Sequence, residues 1–276
     1  MSTPTPLHGS PLGSTVAYCD TYAPALLFPV ARQLQRDALG IGSALPFHGV
    51  DVWNGYELSW LNARGKPVAA TLRFDVPATS PNIVESKSVK LYLNSLNQTA
   101  FASATEVQAV IARDLSAAAG AAVTVTVQPM SSGAQRRQGN FSGICIDDLD
   151  VTIADYHPAP ALLKTGGGVV EEVLVSHLLK SNCPVTGQPD WAAVRIAYCG
   201  PAIDRAGLLA YIVSYRQHSG FHEHCVERIY CDILARCQPE KLSVYARYTR
   251  RGGLDINPFR SSEAGEVPDN DGDIRQ

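Results

Sequence analysis

Two stretches of alternating or continuous apolar residues, joined by a short turn, stand early in each half of the chain. They are "YELSWLN" from Tyr56 and "VAATLRFDV" from Val68 in the first half, and "EVLVSHLL" from Glu172 and "WAAVRIAY" from Trp191 in the second. Runs of this length that are rich in β-branched and aromatic residues are typical of β-strands. The pattern therefore predicts two neighbouring strands in each half.

Helical spacing follows each pair of strands. In the first half we predict helices over residues 88–97 and 105–119, and the second of these presents apolar residues on one face at Val107, Val110, Ile111 and Leu115. In the second half we predict helices over 204–215 and 222–237. The period returns to two in "AVTVTVQ" and "KLSVYARY". This order, β-β-α-α-β, predicts an α+β fold in which antiparallel strands carry helices on one face.

The two halves also resemble each other in sequence. "GKPVAATLRF" from Gly65 aligns with "GQPDWAAVRI" from Gly187, an offset of 187 − 65 = 122. "PNIVESKSVKLY" from Pro81 aligns with "PAIDRAGLLAYI" at an offset of 120, and "SLNQ" from Ser95 aligns with "SYRQ" at 119. Because the offset drifts only by loop-sized steps, we interpret the chain as two copies of one unit, near residues 45–130 and 165–260. We place the corresponding domains at 1–150 and 151–276.

Composition limits the possible partners and the compartment. The 276 residues carry a net charge of −3 with a pI near 6.2, which argues against direct nucleic-acid binding. No apolar stretch approaches the roughly 18 residues of a membrane helix, and residues 1–14 lack the pattern of a signal peptide. Seven cysteines without a framework spacing indicate reduced thiols, so we expect a cytoplasmic protein. The polar, acidic tail after Ser261 is expected to be frayed.

Four residues of the second copy are candidates for chemistry. Cys183 and Asp190 bracket the stiff turn "PVTGQP", and His222 and Glu223 open a predicted helix. The first copy has neither the cysteine nor the aspartate in its corresponding loop. It carries "ESKSVKLY" from Glu85 instead. Each feature also has a plain structural interpretation: a buried small hydrophobe, a helix cap and a solvated face with ion pairs.

A zinc site is a competing interpretation of "HSGFHEHC". His218, His222 and Cys225 have spacings of four and three residues, which would place them on one face of a continuous helix. Gly220 between the histidines instead indicates that the helix starts after it.

Four motifs in order resemble the NADPH-dependent 7-cyano-7-deazaguanine reductases, the nitrile reductases of queuosine biosynthesis, a tRNA modification. They are "ESKSVKLY", "NCPVTGQPDWA", "FHEHCVERI" and "RYTRRGGLDINP". The resemblance covers most of the chain and implies the tunnelling fold, in two tandem β-β-α-α-β-β units. It also implies a homodimer, NADPH as co-substrate and no required metal.

The resemblance further implies a role for each matching residue. Cys183 would be the nucleophile and Asp190 the proton donor. The residues that would hold the deazaguanine are Val84, Glu85, Ser86, His222 and Glu223. The NADPH site would contain Ser86, Lys87, Arg251 and Gly252.

These roles fit the chemistry of nitrile reduction. A nitrile carbon accepts hydride poorly, whereas a thiolate adds to it and gives a more electrophilic thioimide. Reduction to the amine takes four electrons and hence two NADPH. Two other functions stay open at this point: a zinc hydrolase of the same fold acting on pterin-like substrates, and a catalytically silent purine-binding module.

Overall fold

A computed structural model describes residues 18–133 and 136–276. The prediction about a signal peptide concerns residues outside this part of the chain. The elements of the first half are β1 (Pro29–Ala31), α1 (Gln33–Asp37), β2 (His48–Leu61), β3 (Pro67–Pro77), β4 (Asn82–Val84), α2 (Ser86–Ser95), α3 (Ala104–Ala119) and β5 (Thr124–Pro129). Those of the second half are β6 (Ile144–Cys145), β7 (Thr165–Asn182), β8 (Pro189–Ile203), α4 (Arg205–Val213), α5 (His222–Cys237), β9 (Lys241–Tyr248) and β10 (Leu254–Ser261).

The helices lie close to their predicted bounds, and local capping explains the differences. The helix predicted over 88–97 begins two residues earlier, because the side chain of Glu85 accepts the backbone N–H groups of Lys87 and Ser88. The helix predicted over 204–215 ends at Val213 and continues as a 3₁₀ turn over Ser214–Gln217. Helix α5 has the predicted bounds.

The chain divides into two compact units, each assembled from separate segments. Within the described residues, unit 1 contains 18–38, 52–133 and 250–255, and unit 2 contains 39–51, 136–249 and 256–276. The domain boundary predicted near residue 150 stays a prediction.

In unit 1 the strands run in the order β5-β3-β2, and β1 pairs with β4. Both β3–β5 and β1–β4 are antiparallel. The predicted face of α3 packs into the core through Val107, Ile111 and Leu115, all fully buried, whereas Val110 is only partly buried. Trp53 stacks on Phe74 at 5.1 Å between ring centroids. The core of this unit therefore lies between its strands and α3.

In unit 2 the strands run in the order β10-β9-β8-β7-β6. Every pair is antiparallel except β6–β7, which is parallel. Helix α5 buries Val226, Ile229 and Ile233 completely. The mixed α+β class with mainly antiparallel pairing is thus confirmed. None of the helices in the described ranges has the length and apolar composition needed to cross a membrane.

The expectation of a frayed tail after Ser261 was wrong. Ser261 ends β10 and is buried, and the backbone of Gly272 exchanges hydrogen bonds with Arg137 and Gly139. The side-chain amide of Gln276 donates to the carbonyl of Tyr248 at 2.7 Å. Polar composition did not predict disorder here because the tail satisfies its backbone groups on unit 2.

Candidate active site

Cys183 follows the last residue of β7 and begins a tight turn into β8. Its backbone N–H donates to the carbonyl of Gln188 at 2.8 Å, and its own carbonyl accepts the N–H of Gly187 at 3.1 Å. Gly187 has φ of +66°, a left-handed conformation that glycine adopts without strain. The thiol-bearing residue is 5% exposed. The turn therefore holds Cys183 by its backbone and leaves its side chain to face the protein interior.

Asp190 lies on the same face of the hairpin as Cys183. It is directly opposite Ser181 in the antiparallel register of β7 and β8. Because alternate residues of a strand share a face and opposite residues do too, Ser181, Cys183 and Asp190 project together. Asp190 is 6% exposed, so its carboxyl group is nearly buried. The sequence-predicted pair of thiol and acid is thus brought to one side of unit 2.

His222 completes this face from the start of α5. Its Nε2 lies 3.4 Å from Oδ2 of Asp190, and its ring stacks on Tyr248 with centroids 3.8 Å apart and planes 9° apart. The Nδ1 atom is buried, and none of the described residues offers it a hydrogen bond. The stacking fixes the plane of the imidazole, and Nδ1 is a buried polar atom without a hydrogen bond in the described part of the chain.

A second buried thiol lies beneath the same face. Burial raises the pKa of Cys225 to about 12, and the hydroxyls of Ser181 and Tyr248 oppose this rise. Neither hydroxyl makes a well-directed hydrogen bond within the described residues. Cys225 is therefore a neutral thiol at physiological pH.

Glu223 occupies the first turn of α5, where a carboxylate is favoured by the helix dipole. It is 4% exposed. Phe221 precedes the helix, and its side chain cannot cap the free N–H groups. The start of α5 thus combines a nearly buried acid with backbone donors that lack a side-chain cap.

Glu85 lies in unit 1, where it caps α2. Its Oε1 accepts the N–H of Lys87 at 2.6 Å and its Oε2 accepts that of Ser88 at 2.8 Å. Burial raises the pKa of Glu85, while these two bonds and the charges of Lys90 and Lys87 oppose the rise. Val84 is buried and pairs with Pro29, and Ser86 is partly exposed at the first helical position. A carboxylate oxygen has further acceptor capacity beyond one bond, so capping leaves Glu85 able to bind a donor.

The predicted NADPH residues of unit 1 lie on two elements. Ser86 and Lys87 open α2, while Arg251 and Gly252 belong to a two-glycine turn before β10. Arg251 and Leu254 exchange backbone hydrogen bonds, and both glycines have positive φ, at +58° and +74°. A Cβ atom at Gly252 would lie 3.0 Å from Cε of Lys90. Glycine thus suits position 252 for two reasons: the backbone has a positive φ, and the side chain of Lys90 lies where a Cβ atom would be.

A pocket of about 280 Å³ opens beside this turn. Its lining includes Glu57, Lys90, Asn94, Asn97, Gly252 and Gly253. A cation, two amides and exposed backbone are groups that bind phosphate and ribose oxygens. Lys90 lies within the "ESKSVKLY" motif but is not among the residues that the sequence assigned to the NADPH site.

The structure does not build the competing zinc site. Helix α5 begins at His222, after Gly220, as the glycine predicted, so His218 is not on the helix. Within 18–133 and 136–276, the only three ligating side chains whose donor atoms converge are Cys145, Asp147 and His177. His218 stacks edge-on to Tyr215 instead. The spacing in "HSGFHEHC" therefore does not translate into a common ligand set.

Two residues of this face were missed by sequence analysis. Tyr248 and Ser181 contact His222 and Cys225 only because of the register between β7, β8 and β9. Tyr248 pairs with Ala192, two residues after Asp190, which places its ring on the face of the acid. The alternation within "KLSVYARY" indicates which residues share a face of the strand with Tyr248, but no sequence signal predicts that Tyr248 contacts His222.

Comparison with known proteins yields two family matches. Residues 18–127 match the family described as "Nitrile reductase, 7-cyano-7-deazaguanine-reductase N-term". Residues 189–266 match the family described as "QueF-like protein". The two matches contain the capped helix start of Glu85 and the face of Asp190, respectively.

Similar proteins match along almost the full length. A protein of Azoarcus sp. (strain BH72), named NADPH-dependent 7-cyano-7-deazaguanine reductase, is 63% identical over 278 residues, 99% of each chain. One of the same name from Dechloromonas aromatica (strain RCB) is 60% identical, covering 98% of this chain and 96% of its own. A solved structure, the archaeosine synthase QueF-Like in the apo form, aligns with 37% of this chain and 99% of its own at 18% identity and a TM-score of 0.31.

Proposed function

Because this chain belongs to the family of NADPH-dependent 7-cyano-7-deazaguanine reductases, which are oxidoreductases, we propose that it reduces the nitrile of 7-cyano-7-deazaguanine to the aminomethyl group in queuosine biosynthesis. The observation that carries the proposal is the face on which Cys183, Asp190 and His222 meet. A thiol and an acid on one side of a nearly buried hairpin are what thioimide chemistry requires.

Cys183 is the nucleophile in this proposal. The thiol first loses its proton to solvent. The thiolate sulfur then adds to the nitrile carbon while protonated Asp190 supplies the proton to the nitrogen, which gives a thioimide and leaves Asp190 as the carboxylate. Reduction of the thioimide gives a hemithioaminal. The hemithioaminal releases the thiol of Cys183 and becomes an imine, and a second reduction converts the imine into the amine. Two NADPH and two protons are consumed per amine formed. Burial of Cys183 keeps water away from the thioimide and the imine, both of which water would hydrolyse.

His222, Glu223 and Glu85 bind the base, with Val84 and Ser86 beside it. A deazaguanine presents N–H donors on its pyrimidine edge, and a carboxylate accepts such donors strongly. Glu223 is nearly buried and Nδ1 of His222 has no partner among the described residues, which supports ligand-facing roles for both. Stacking on Tyr248 holds the imidazole in one plane for that contact.

The residues of unit 1 fit NADPH. Lys87 and Arg251 would bind phosphate groups, and the hydroxyl of Ser86 would donate a hydrogen bond. Gly252 has no side chain, so the cofactor could lie close to its backbone. When bound, NADPH supplies the hydride for each of the two reductions. Lys90 lies against Gly252 and adds a further cation beside the turn.

The proposal includes the tunnelling fold, a homodimer and a cytoplasmic location. The element order β7-β8-α4-α5-β9-β10 is the β-β-α-α-β-β order expected of such a unit, whereas the order of the first half, β2-β3-β4-α2-α3-β5, departs from it by the additional short strand β4 before the helices and a single strand, β5, directly after them. All seven cysteines are free thiols, which suits a reducing compartment. Since the cysteine and acid occur in one copy only, each chain would supply one site.

Adduct mass and cofactor stoichiometry test the proposal together. Mixing the protein with 7-cyano-7-deazaguanine alone should add the mass of one substrate per chain at Cys183. Titration should then oxidise two NADPH per nitrile consumed. An adduct on Cys225 or Cys199, two adducts per chain, or a ratio near one with aldehyde accumulating would overturn it.

A further inference from the structure

A second cluster of reactive side chains lies in unit 2, away from the face of Cys183. Cys145 ends β6, Asp147 follows it by two residues, and His177 projects from β7. Their donor atoms all lie within 4.8 Å of one another. The proposed reduction uses none of these three residues.

The three donor atoms converge on one point instead of forming a relay. Nδ1 of His177 is 2.9 Å from Oδ2 of Asp147 and 3.9 Å from Sγ of Cys145. A Cys-His-Asp relay needs its thiol and its carboxylate on opposite nitrogens of the ring, and here both approach the same nitrogen. Around a tetrahedral zinc the corresponding N···O and N···S separations would be about 3.3 and about 3.6 Å. The two separations from Nδ1 therefore differ from those of a tetrahedral ligand set by only a few tenths of an ångström.

The carboxylate is already oriented by its neighbours. Oδ1 of Asp147 accepts the hydroxyl of Ser176 at 2.6 Å, and the backbone N–H of His177 donates to Oδ1 and Oδ2 at 3.3 and 3.0 Å. Burial raises the pKa of Asp147, but these bonds and His177 outweigh it and lower the pKa overall. Metal-ligating carboxylates typically have this kind of outer support.

We propose that Cys145, Asp147 and His177 form a zinc site with water as the fourth ligand. A thiolate, an imidazole and a carboxylate together favour zinc over magnesium or calcium, which prefer oxygen ligands alone. Binding releases the thiol proton to solvent, and the charges then balance, since two anionic ligands meet one divalent cation. Cys145 is exposed, so the metal can enter and water can reach the open position.

The zinc site would stabilise an irregular part of β7, the strand that leads to Cys183. Ser176 pairs with Val194 and Leu179 pairs with Ala192, so β7 advances three residues where β8 advances two. This is a β-bulge, and His177 lies in it. The bulge sets the register in which Cys183, six residues further on, shares a face with Asp190. A slip of one residue would turn that thiol to the opposite face.

Metal titration of chelator-treated full-length protein tests the proposal. We expect one equivalent of zinc to bind and to raise Tm. Cobalt should give a thiolate-to-metal charge-transfer band. Cys145→Ser should abolish that band, and His177→Gln and Asp147→Asn should weaken zinc binding about 100-fold or more. Ser176→Ala, which loosens the carboxylate, should weaken it about 10-fold. Cys199→Ser, on β8, is the matched control and should bind as the wild type does.

Three outcomes would overturn the site: no stoichiometric zinc, equal affinity in all variants, or a cobalt band that survives Cys145→Ser. A band lost only in Cys225→Ser would place the metal in the "HSGFHEHC" segment instead. Because each readout concerns metal binding, the test is independent of whether the protein reduces a nitrile.

Discussion

The turn between β2 and β3 and the turn between β7 and β8 close in similar ways and differ in what their first residue does. At the first, Asn62 exchanges backbone bonds with the turn, and its side chain also accepts the N–H groups of Arg64 and Lys66 at 2.9 and 3.0 Å. At the second, the backbone N–H of Cys183 donates to the carbonyl of Gln188 and its carbonyl accepts the N–H of Gly187. The difference shows that backbone bonds close both turns, and that the first turn adds bonds from the side chain of its first residue, where the second places a nearly buried thiol.

The helices that follow repeat this difference. Helix α3 begins with a reciprocal cap in which Ser103 accepts the N–H of Glu106 and Glu106 accepts the N–H of Ala102. At the offset of 119, the position of Ser103 corresponds to His222 at the start of α5, which has no side-chain cap. The first copy thus satisfies its helix start internally. The second begins its helix without a side-chain cap and has a nearly buried acid, Glu223, in the first turn.

Buried polar atoms follow the same division. Thr99 accepts the N–H of Tyr22 and donates to the carbonyl of Ser95. Its counterpart His218 has a buried Nε2 without a hydrogen bond in the described part of the chain, as does Nδ1 of His224. Unsatisfied buried groups reduce stability. These buried polar atoms without hydrogen bonds lie mainly in the second copy. Such a distribution is expected of a binding site, where polar groups needed for a ligand reduce the stability of the protein.

The largest expected effect is the loss of covalent chemistry in Cys183→Ala. Adduct formation with the nitrile should vanish, as judged by intact mass, because burial raises the pKa of the neighbouring Cys225 to about 12 and keeps that thiol protonated. The substitution is small at a nearly buried position, so the protein should stay folded. The matched control is Asn62→Ala in the other hairpin, which should lower stability by about 1 kcal/mol and leave the adduct intact. An adduct in Cys183→Ala would break the comparison.

Asp190→Asn should lower turnover by roughly 100-fold or more and largely preserve base binding, since it removes a proton donor and keeps a similar shape. Single-turnover kinetics and equilibrium binding separate the two effects. Asp204→Asn is the control, because Asp204 caps α4 on the same unit and asparagine caps equally well. Poor binding with normal reduction of bound substrate would reverse the role assigned to Asp190.

Glu223→Gln should weaken binding of the base by roughly 10- to 150-fold, the equivalent of about 1.5–3 kcal/mol for a hydrogen bond to a charged group. Calorimetry with Cys183→Ala as background measures binding without the adduct. Glu106→Gln, in the first turn of the corresponding helix α3, should leave affinity unchanged. Equal losses in the two variants would mean that Glu223 acts through helix stability.

Much of each copy could be predicted from local signals. Period and glycine placement gave α5 correctly because Gly220 precedes its start and apolar residues repeat along one face. The predicted apolar face of α3 was less accurate, because Val110 is only partly buried. A helical face is wide enough for periodicity to leave such neighbours unresolved.

The candidate site could be predicted only where it is local in sequence. Cys183 and Asp190 are joined by one turn, so their shared face follows from the hairpin. The stacking of Tyr248 on His222 and the cluster of Cys145 with His177 depend on strand register and on a bulge. Register is fixed by long-range packing, which a single sequence does not reveal.

Acid should destabilise the protein through two partly buried histidines of the second copy, His218 and His224. Burial is the main reason that the pKa of His218 and that of His224 are lowered to about 4, from an ordinary value of 6.5. Between these values the unfolded chain binds more protons than the folded one, so the free energy of unfolding should fall as pH falls. Each histidine contributes at most about 1.4 kcal/mol per pH unit, less where solvent reaches it.

Urea unfolding at pH 7, 6 and 5 measures this slope. His224→Gln should flatten it. His48→Gln, at an exposed position of β2, should not. A slope unchanged in His224→Gln would mean that other groups cause the acid sensitivity.

The smallest expected effect lies in the first copy. Ser103→Ala removes the side-chain acceptor that caps α3, and the loss of such a cap lowers stability by about 1 kcal/mol. Chemical denaturation should detect this change, while adduct formation and turnover should equal those of the wild type, because the capped helix start serves only the fold. Ser103→Asp, which restores an acceptor, should recover the stability. If Ser103→Ala instead slowed the reaction at saturating substrate, the first copy would contribute to catalysis through α3. The capped start of α3 would then not be purely structural, and its contrast with the start of α5, which has no side-chain cap, would not mark the functional copy.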